Sequence, residues 1–309
     1  MENHEELDKK NIEVAQEGWN ELNPYMETEK KYKRSIIDMM EEFFSTCVSV
    51  YPHLFVKEYY ELGQIARCRK GYYTKEEELF PPPKDIALSL NLVNRWNPPD
   101  RRYLYLAHST NASRKIMGYS ENEYTCLMEM RAVNGEQYTF ADFEPKPTSI
   151  RHSILNMNYN SITTEIINRK YGNLAFKQAM EVVNEYLKTG IREMPTKEEL
   201  VSRLSPGTDL LAIGMVGEKF LAPLCQAIFT PIDDETNSTG EERDKAYKSF
   251  HILAGFLEEK GIDGVIYPST RTALYGYNTE NLVIFKPEDF IIKEGTIRHI
   301  TYTTHGNEE

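Results

Sequence analysis

Hydrophobic residues recur at helical spacing in three stretches of the chain. Between residues 28 and 50 the apolar positions fall three or four apart and face charged ones, which predicts an amphipathic helix with Thr28 as its N-cap. The same spacing over 173–189 predicts a helix with one broad apolar face, and Gly190 is its expected stop. A third helix is expected over 243–260.

Shorter apolar runs, some of them alternating with polar residues, predict strands. They flank a middle region, 145–205, that is expected to be mostly helical, and a short helix is expected over 121–132. Because strands occur on both sides of a helical middle, the order of elements indicates an α+β fold rather than a regular βαβ winding. The predicted strands cover residues 62–70, 103–107, 136–143, 209–216, 262–267 and 281–286.

The length of the chain, 309 residues, is typical of one large domain or two modest ones. Its 40% of hydrophobic residues is enough to build a core. We expect a helical N-terminal extension over 1–60, an α+β domain over 61–295 and a tail over 296–309. The helix over 28–50 is expected either to pack on its own domain or to pair with a partner protein or a second copy.

Charge and composition exclude several classes of function. The net charge of −12 argues against a surface that binds nucleic acid or membrane, although a few well-placed arginines can still hold a phosphate locally. Four cysteines without a CxxC pair favour a reducing cytosol over a disulfide framework or a zinc site. The polar N-terminus and the lack of an 18-residue apolar run predict a soluble, cytoplasmic protein.

Common catalytic motifs do not occur in the sequence. There is no GxGxxG after a predicted strand, no Walker A sequence, no HExxH and no GxSxG. The seven histidines do not have the spacing of metal ligands. The sequence therefore favours chemistry that needs neither a metal ion nor a histidine base.

Two segments place a polar side chain at the edge of an apolar element. In 261–271 an apolar strand ends at Pro268, so Ser269 is delivered at the mouth of a buried strand, where it either serves function or caps its own turn. In 124–132 Glu129 follows two apolar residues on the short helix. Its carboxylate is either partly desolvated or a solvated partner of a nearby arginine.

A third segment, 94–109, combines an arginine, a Trp–Asn–Pro turn and a strand that carries tyrosines. An arginine beside aromatic rings suits a phosphate with an attached flat base, and it also suits ordinary packing. Earlier in the chain, the strand predicted over 62–70 carries Arg67 and Arg69 on one side.

Together and in this order, these segments resemble the RES-domain family, which is named after an Arg, a Glu and a Ser. The similarity covers about residues 63–290. Two features depart from the family pattern: Asn94 stands where the family usually has Gly, and the stretch 107–126 is longer. The matching residues are Arg67, the turn Arg95-Trp96-Asn97-Pro98, Tyr105, the helix 126–131, the strand 261–269 and the strand 281–285.

The resemblance implies a fold similar to that of ADP-ribosyltransferase toxins, with NAD as the substrate and no further cofactor. It implies that Arg67 binds the phosphates, that Glu129 holds a ribose hydroxyl and stabilises developing positive charge, and that Ser269 orients the ribose or a phosphate. It also implies a substrate-binding set in which Arg95 is a second phosphate contact and Tyr105 covers nicotinamide; the set consists of Arg95, Tyr105, Arg69 and Asn97.

The predicted function is cleavage of the nicotinamide–ribose bond of NAD, by hydrolysis or by phosphorolysis, in a toxin or defence effector. One alternative is a mono-ADP-ribosyltransferase that modifies a protein target. A second is a nucleotide-binding module without catalytic activity. An enzyme that consumes NAD without restraint would harm its own cell, so an inhibitory antitoxin protein or a homodimer through the N-terminal helix is expected.

Overall fold

The computed structural model describes residues 4–26, 35–111, 113–149, 151–188, 196–230 and 240–304. It is an α+β fold, as predicted. The helices are α1 (His4–Glu21), α2 (Ile36–Phe43), α3 (Lys84–Ser89), α4 (Glu121–Glu129), α5 (Thr164–Lys188), α6 (Lys197–Ile228), α7 (Gly240–Glu259) and α8 (Thr270–Ala273). The strands are β1 (Val56–Glu58), β2 (Gln64–Lys70), β3 (Leu104–Ser109), β4 (Lys115–Ile116), β5 (Tyr119–Ser120), β6 (Gln137–Pro145), β7 (Ser153–Asn156), β8 (Gly264–Pro268), β9 (Glu280–Ile284), β10 (Phe290–Ile292) and β11 (Arg298–Thr301).

Contacts between residues group the chain into two compact units. The first combines residues 1–18, 32–55 and 159–228, and the second combines 19–31, 56–158 and 229–309. These boundaries differ from the predicted division at residue 60, because the helical stretch 159–228 groups with the N-terminal helices.

The first unit is helical. Ser35 caps α2: its hydroxyl accepts from the Asp38 amide at 3.1 Å, and the Asp38 carboxylate accepts from the Ser35 amide at 3.1 Å. The predicted cap, Thr28, lies outside the described residues. One π-helical turn, Phe44–Val48, follows α2 directly. The buried side of α2 packs inside its own unit, where the Phe43 ring lies 5.4 Å from the Phe220 ring of α6.

Of two predictions in the middle of the chain, one is wrong and the other is confirmed. The run 209–216 lies inside α6 and is not a strand, because an unbroken apolar run fits a buried helix as well as a buried strand. The region 145–205 is mostly helical, as predicted, although β7 occupies Ser153–Asn156 and α5 begins only at Thr164.

The helix predicted over 173–189 is the later part of α5, and its expected stop, Gly190, lies outside the described residues. Leu174, Phe176 and Met180, which belong to the predicted apolar face, are exposed, and Phe176 is 68% exposed. Helical spacing predicted the element correctly, but the apolar side of this helix is not covered within the described residues.

One stretch of α6, Gly207–Ile228, is long and apolar enough to cross a membrane by length and composition, with a mean hydropathy of 1.3. Half of this stretch is buried, and the core helix of a folded domain passes the same test. The expected cytoplasmic location therefore stays a prediction.

The second unit is built on a mixed sheet that has nine strands within the described residues, in the order β1-β7-β8-β9-β3-β2-β6-β10, with β11 also paired to β6. Neighbouring strands are antiparallel except β7 and β8. The strands predicted near β2, β3, β6, β8 and β9 are confirmed. The predicted tail is partly ordered in this sheet, because Arg298–Thr301 forms β11. The long stretch 107–126 contains the small hairpin of β4 and β5.

Candidate functional site

The second unit contains a cavity of about 440 Å³ at the middle of its sheet. This volume lies in the range that holds small-molecule ligands. Strands β2, β3 and β9, helices α4 and α7, and the loop before β3 supply its walls. The polar and aromatic residues that line it are Arg67, Asn94, Arg95, Tyr103, Tyr105, Glu129, Arg131, Arg243, Tyr247, Tyr267, Arg271 and Asn281.

Glu129 is held at the cavity wall by two hydrogen bonds to one carboxylate oxygen. The Ser269 hydroxyl donates to Oε1 at 2.7 Å, and the Asn281 side-chain amide donates to the same atom at 2.7 Å. Both donors are buried, whereas Glu129 is exposed to the cavity. Oε2 makes no hydrogen bond to any described residue. The fold thus joins Glu129 to Ser269, which lies 140 positions away in the chain.

Helix α4 presents Glu129 at its last position. The helix starts with a capping box between Ser120 and Glu123, and Leu127 packs it against the β2 side of the sheet. It ends because Arg131, one residue beyond the C-cap, adopts a left-handed backbone with φ of 50°. The carboxylate is therefore placed at the helix end, beside the open cavity, and not along the buried face.

Strand β8 delivers Ser269 as the sequence predicted. Gly264 allows the strand to lie close to β9, since a Cβ at this position would come within 2.5 Å of the Val283 carbonyl oxygen. The strand ends at Pro268, and Ser269 then caps α8 by accepting from the Thr272 amide at 3.2 Å. Ser269 therefore caps its own turn and also donates a hydrogen bond to Glu129.

Arg67 lies on β2 and lines the cavity. Its Nη1 donates to the Tyr105 carbonyl at 3.5 Å. Burial, and then the neighbouring charge of Arg69, lower the pKa of Arg67 to about 10. The guanidinium remains charged at neutral pH, in a setting where an added anion would relieve its desolvation.

Tyr105 forms part of the wall, and its hydroxyl holds the loop before β3. The phenol donates to Asn97 Oδ1 at 2.8 Å and accepts from the Trp96 amide at 3.0 Å. Burial raises the pKa of the Tyr105 phenol, so the group stays neutral. The ring is available to the cavity while the hydroxyl keeps the loop of Arg95 in place.

The remaining predicted binding residues separate into two groups. Arg95 lines the cavity, where its Nη2 lies 3.5 Å from the Thr270 hydroxyl and its guanidinium lies over the Phe250 ring at 5.5 Å. Asn97 is buried and donates to the carbonyls of its own turn, and Arg69 donates to the Glu78 carbonyl. Neither Asn97 nor Arg69 lines the cavity.

Eight of the polar and aromatic lining residues were not predicted from the sequence as site residues. Asn281 and Tyr267 stood in matched segments but were not singled out, and Arg131 and Arg271 each follow a predicted catalytic residue by two positions. Arg243 gave no local signal, because only the packing of α7 brings it to the cavity. The eight are Asn94, Tyr103, Arg131, Arg243, Tyr247, Tyr267, Arg271 and Asn281.

The cavity is lined by more positive than negative side chains, whereas the chain as a whole is acidic. Among the described residues that line it are five arginines and one carboxylate, in a protein whose net charge is −12. A local cationic site inside an acidic protein is what binding of a phosphate requires. Over the same described part of the chain, no cluster of three or more His, Cys, Asp or Glu residues could hold a metal ion.

A second cavity, of about 520 Å³, lies in the first unit. It is lined mainly by apolar side chains of α1, α2 and α6, and Glu42 is the one charged residue among those that line it in the described chain. The lining residues are Val14, Gly18, Ile36, Met39, Glu42, Phe43, Thr46, Cys47, Val216 and Phe220.

No protein-family model and no curated protein matches the sequence. A comparison with solved structures finds a chain from the MbcT–MbcA toxin–antitoxin complex of M. tuberculosis, with 10% sequence identity and a TM-score of 0.33. The match covers 83% of this chain and 91% of that chain. At this degree of likeness no property of that complex is transferred to the present chain, whose function has to be argued from its own residues.

Proposed function

We propose that this protein is an NAD-consuming enzyme that cleaves the bond between nicotinamide and ribose. The observation that carries the proposal is the oriented carboxylate of Glu129, fixed by Ser269 and Asn281 at the wall of a cavity rich in arginine. The resemblance to the RES family, stated from the sequence, agrees with this arrangement.

The reaction needs a carboxylate near the ribose more than it needs a strong base. Nicotinamide leaves as a neutral molecule, and the ribose becomes positively charged in an oxocarbenium-like transition state. Glu129 has one oxygen fixed by two donors, so Oε2 is the atom that holds a ribose hydroxyl and faces the developing charge. Because the group is oriented before the reaction, little reorganisation is needed in the transition state.

The predicted catalytic residues have different roles in the proposed enzyme. Arg67 and Arg95 bind the pyrophosphate as charged, forked donors. Ser269 acts as a positioning residue, because its hydroxyl hydrogen is directed to Glu129. Asn281 has the same role from the opposite strand, and Tyr105 supplies a ring for nicotinamide.

The proposed biological role is that of a toxin or defence effector. Loss of NAD would stop growth, so a restraining protein partner, an antitoxin, or pairing of two copies through the first unit belongs to this proposal. Expression of the intact chain should arrest growth and lower cellular NAD, and Glu129→Gln should relieve both effects. Normal growth and normal NAD with active, soluble protein would contradict the toxin role.

The direct test is a product assay with purified full-length protein and NAD, with and without inorganic phosphate. Free nicotinamide with soluble ADP-ribose indicates hydrolysis, and a phosphorylated ADP-ribose indicates phosphorolysis. Radiolabel retained on protein from a lysate would indicate an ADP-ribosyltransferase instead. If wild type and Glu129→Ala release nicotinamide at the same rate, Glu129 is not catalytic and the proposal fails.

A further inference from the structure

The side chain of Tyr267 lies in the wall of the polar cavity, and its hydroxyl has a hydrogen left to donate. The residue is 5% exposed and lines the cavity from β8. No described residue accepts a hydrogen bond from its phenol. The Trp96 indole N–H acts on the phenol and lowers its pKa, but an indole nitrogen can only donate. Because a buried phenol usually has a hydrogen-bond partner, the unused hydrogen indicates a ligand in the cavity.

Packing alone fixes the ring of Tyr267. The Phe229 ring is stacked on it, with the centroids 5.4 Å apart and an angle of 20° between the planes. The Trp96 ring lies 5.6 Å away on a tilted plane. The hydroxyl therefore has a defined place although it donates to no part of the protein, and a ligand that accepts from it orders no further side chain.

The phenol of Tyr267 lies between the carboxylate of the site and one of its guanidinium groups. Asn281 is its partner on the neighbouring strand, so both side chains project from one face of the sheet, and Asn281 donates to Glu129. On the other side, the neighbouring Trp96 directly follows Arg95. Both charges act on the phenol, since Glu129 raises its pKa and Arg95 lowers it.

The chemistry of the phenol decides what it binds. Burial, and then the charge of Glu129, raise the pKa of Tyr267, so the phenol keeps its hydrogen at neutral pH and is a neutral donor. In the proposed substrate, a ribose hydroxyl is already matched by Oε2 of Glu129, which can only accept. A phosphate oxygen is also an acceptor, and it therefore complements a phenol that has a hydrogen to donate.

We infer that Tyr267 donates a hydrogen bond to the phosphate next to the nicotinamide ribose, and that it thereby selects substrates in which this ribose carries a 5′-phosphate. The inference rests on the proposed function. In NAD this phosphate is joined to the ribose that Glu129 holds and belongs to the pyrophosphate that Arg95 binds, so its expected place is between the two, where the phenol lies. Tyr267 touches the substrate in this arrangement, whereas Ser269 and Asn281 act through Glu129.

The test measures nicotinamide release from NAD, nicotinamide mononucleotide and nicotinamide riboside, which lacks the phosphate, by full-length wild type, Tyr267→Phe and Tyr59→Phe. Tyr59 is the matched control, because its phenol is buried without a hydrogen-bond partner in the described chain and does not line the cavity. Tyr267→Phe should lower kcat/KM for NAD and the mononucleotide about 10- to 100-fold, the value of one hydrogen bond to a charged group. Release from the riboside should equal that of wild type, and Tyr59→Phe should match wild type on all three substrates. An equal fall on all three, or no fall on any, would overturn the inference.

A binding experiment separates this inference from the proposed reaction. Nicotinamide mononucleotide and nicotinamide riboside are titrated by calorimetry into full-length wild type and Tyr267→Phe. We expect the variant to bind the mononucleotide about tenfold more weakly, or worse, and to bind the riboside as wild type does. This pattern without any nicotinamide release would refute the reaction but support the phosphate contact. Nicotinamide release by wild type, with the mononucleotide bound equally by both proteins or by neither, would refute the contact but leave the reaction standing.

Discussion

The two cavities of the molecule have similar volumes and opposite linings. The cavity of the first unit, about 520 Å³, is walled by apolar side chains, whereas that of the second unit, about 440 Å³, has arginines, tyrosines and an oriented carboxylate. Volume alone would favour the first cavity as a binding site. The comparison teaches that convergent, preorganised polar groups are the better guide to chemistry, because such groups orient a ligand and give a pocket its specificity.

The largest effect should follow from removing the charge of Glu129. Glu129→Gln keeps the size of the side chain but removes the negative charge from the reacting end. We expect nicotinamide release to fall about 10²- to 10³-fold, with little change in thermal unfolding, because Glu129 is exposed. Glu259→Gln, an exposed position at the end of α7, is the matched control for charge. If Glu129→Gln and Glu259→Gln lose activity equally, the effect is one of overall charge, and the polar cavity is not the reacting site.

A complementary change in the apolar cavity should affect stability and not chemistry. Ile36 begins α2 and is 2% exposed. Ile36→Ala should lower the free energy of unfolding by about 2–4 kcal/mol, through lost burial and a new void. Urea unfolding measures this effect, and kcat measured well below the transition should equal that of wild type. A large fall in kcat with unchanged stability would assign function to the first unit as well.

The hydrogen bonds behind Glu129 should have an intermediate effect on catalysis. Asn281→Ala or Ser269→Ala each removes one of the two donors to Oε1. Each should lower kcat about 10- to 100-fold, the range expected for one hydrogen bond to a charged group. The double variant should show less than the product of the two single effects, because both donors act on one atom. Multiplicative effects would indicate that Ser269 or Asn281 has a separate role.

The smallest effect should be a dependence of stability on acid. Glu280 begins β9, next to Asn281, and accepts from Asn158 at 2.6 Å; its other oxygen lies 2.5 Å from His108 Nδ1. Burial alone would raise the pKa of Glu280, but the hydrogen bond and the charge of His108 outweigh it and hold the pKa below its usual value.

A carboxyl with a lowered pKa in the folded state contributes stability above its unfolded pKa, about 4.3, and loses that contribution as the pH falls through the folded value. Glu280→Gln should therefore lower the free energy of unfolding at pH 7. Below about pH 4 the free energies of unfolding of the variant and of wild type should converge. Urea unfolding at several pH values measures the difference. A difference that stays constant with pH would show that Glu280 contributes packing alone.

The sequence predicted the elements that carry the candidate site, but not the contacts between them. Helix α4 and strands β8 and β9 were predicted because their apolar patterns are bounded by clear stop signals such as Pro268. The hydrogen bonds that join these elements could not be predicted, since they depend on the sheet register that sets Tyr267 opposite Asn281. Arg243 was not predicted for the same reason. The sequence around an arginine on a helix does not show what the helix packs against.

Errors in the fold have equally specific causes. After Asp209, residues 210–216 are apolar without a break, so their spacing could not distinguish a strand from a helix, and they lie inside α6. The grouping by contacts differs from the predicted division because residues 159–228 join helices that lie more than a hundred residues earlier in the chain. Such grouping depends on tertiary packing, for which local patterns carry no signal.

Arg131 has a consequence for the way this protein can change by mutation. Its left-handed backbone is unfavourable for any residue with a Cβ, by about 1–2 kcal/mol, and glycine would avoid that penalty. Selection for heat resistance alone would therefore favour Arg131→Gly. The same substitution would remove a guanidinium from the cavity. Selection that also demands activity would have to keep the strained arginine. Thermostable variants obtained without an activity screen should thus accumulate changes at this position, and each of them would lose part of the charge that distinguishes the second cavity from the first.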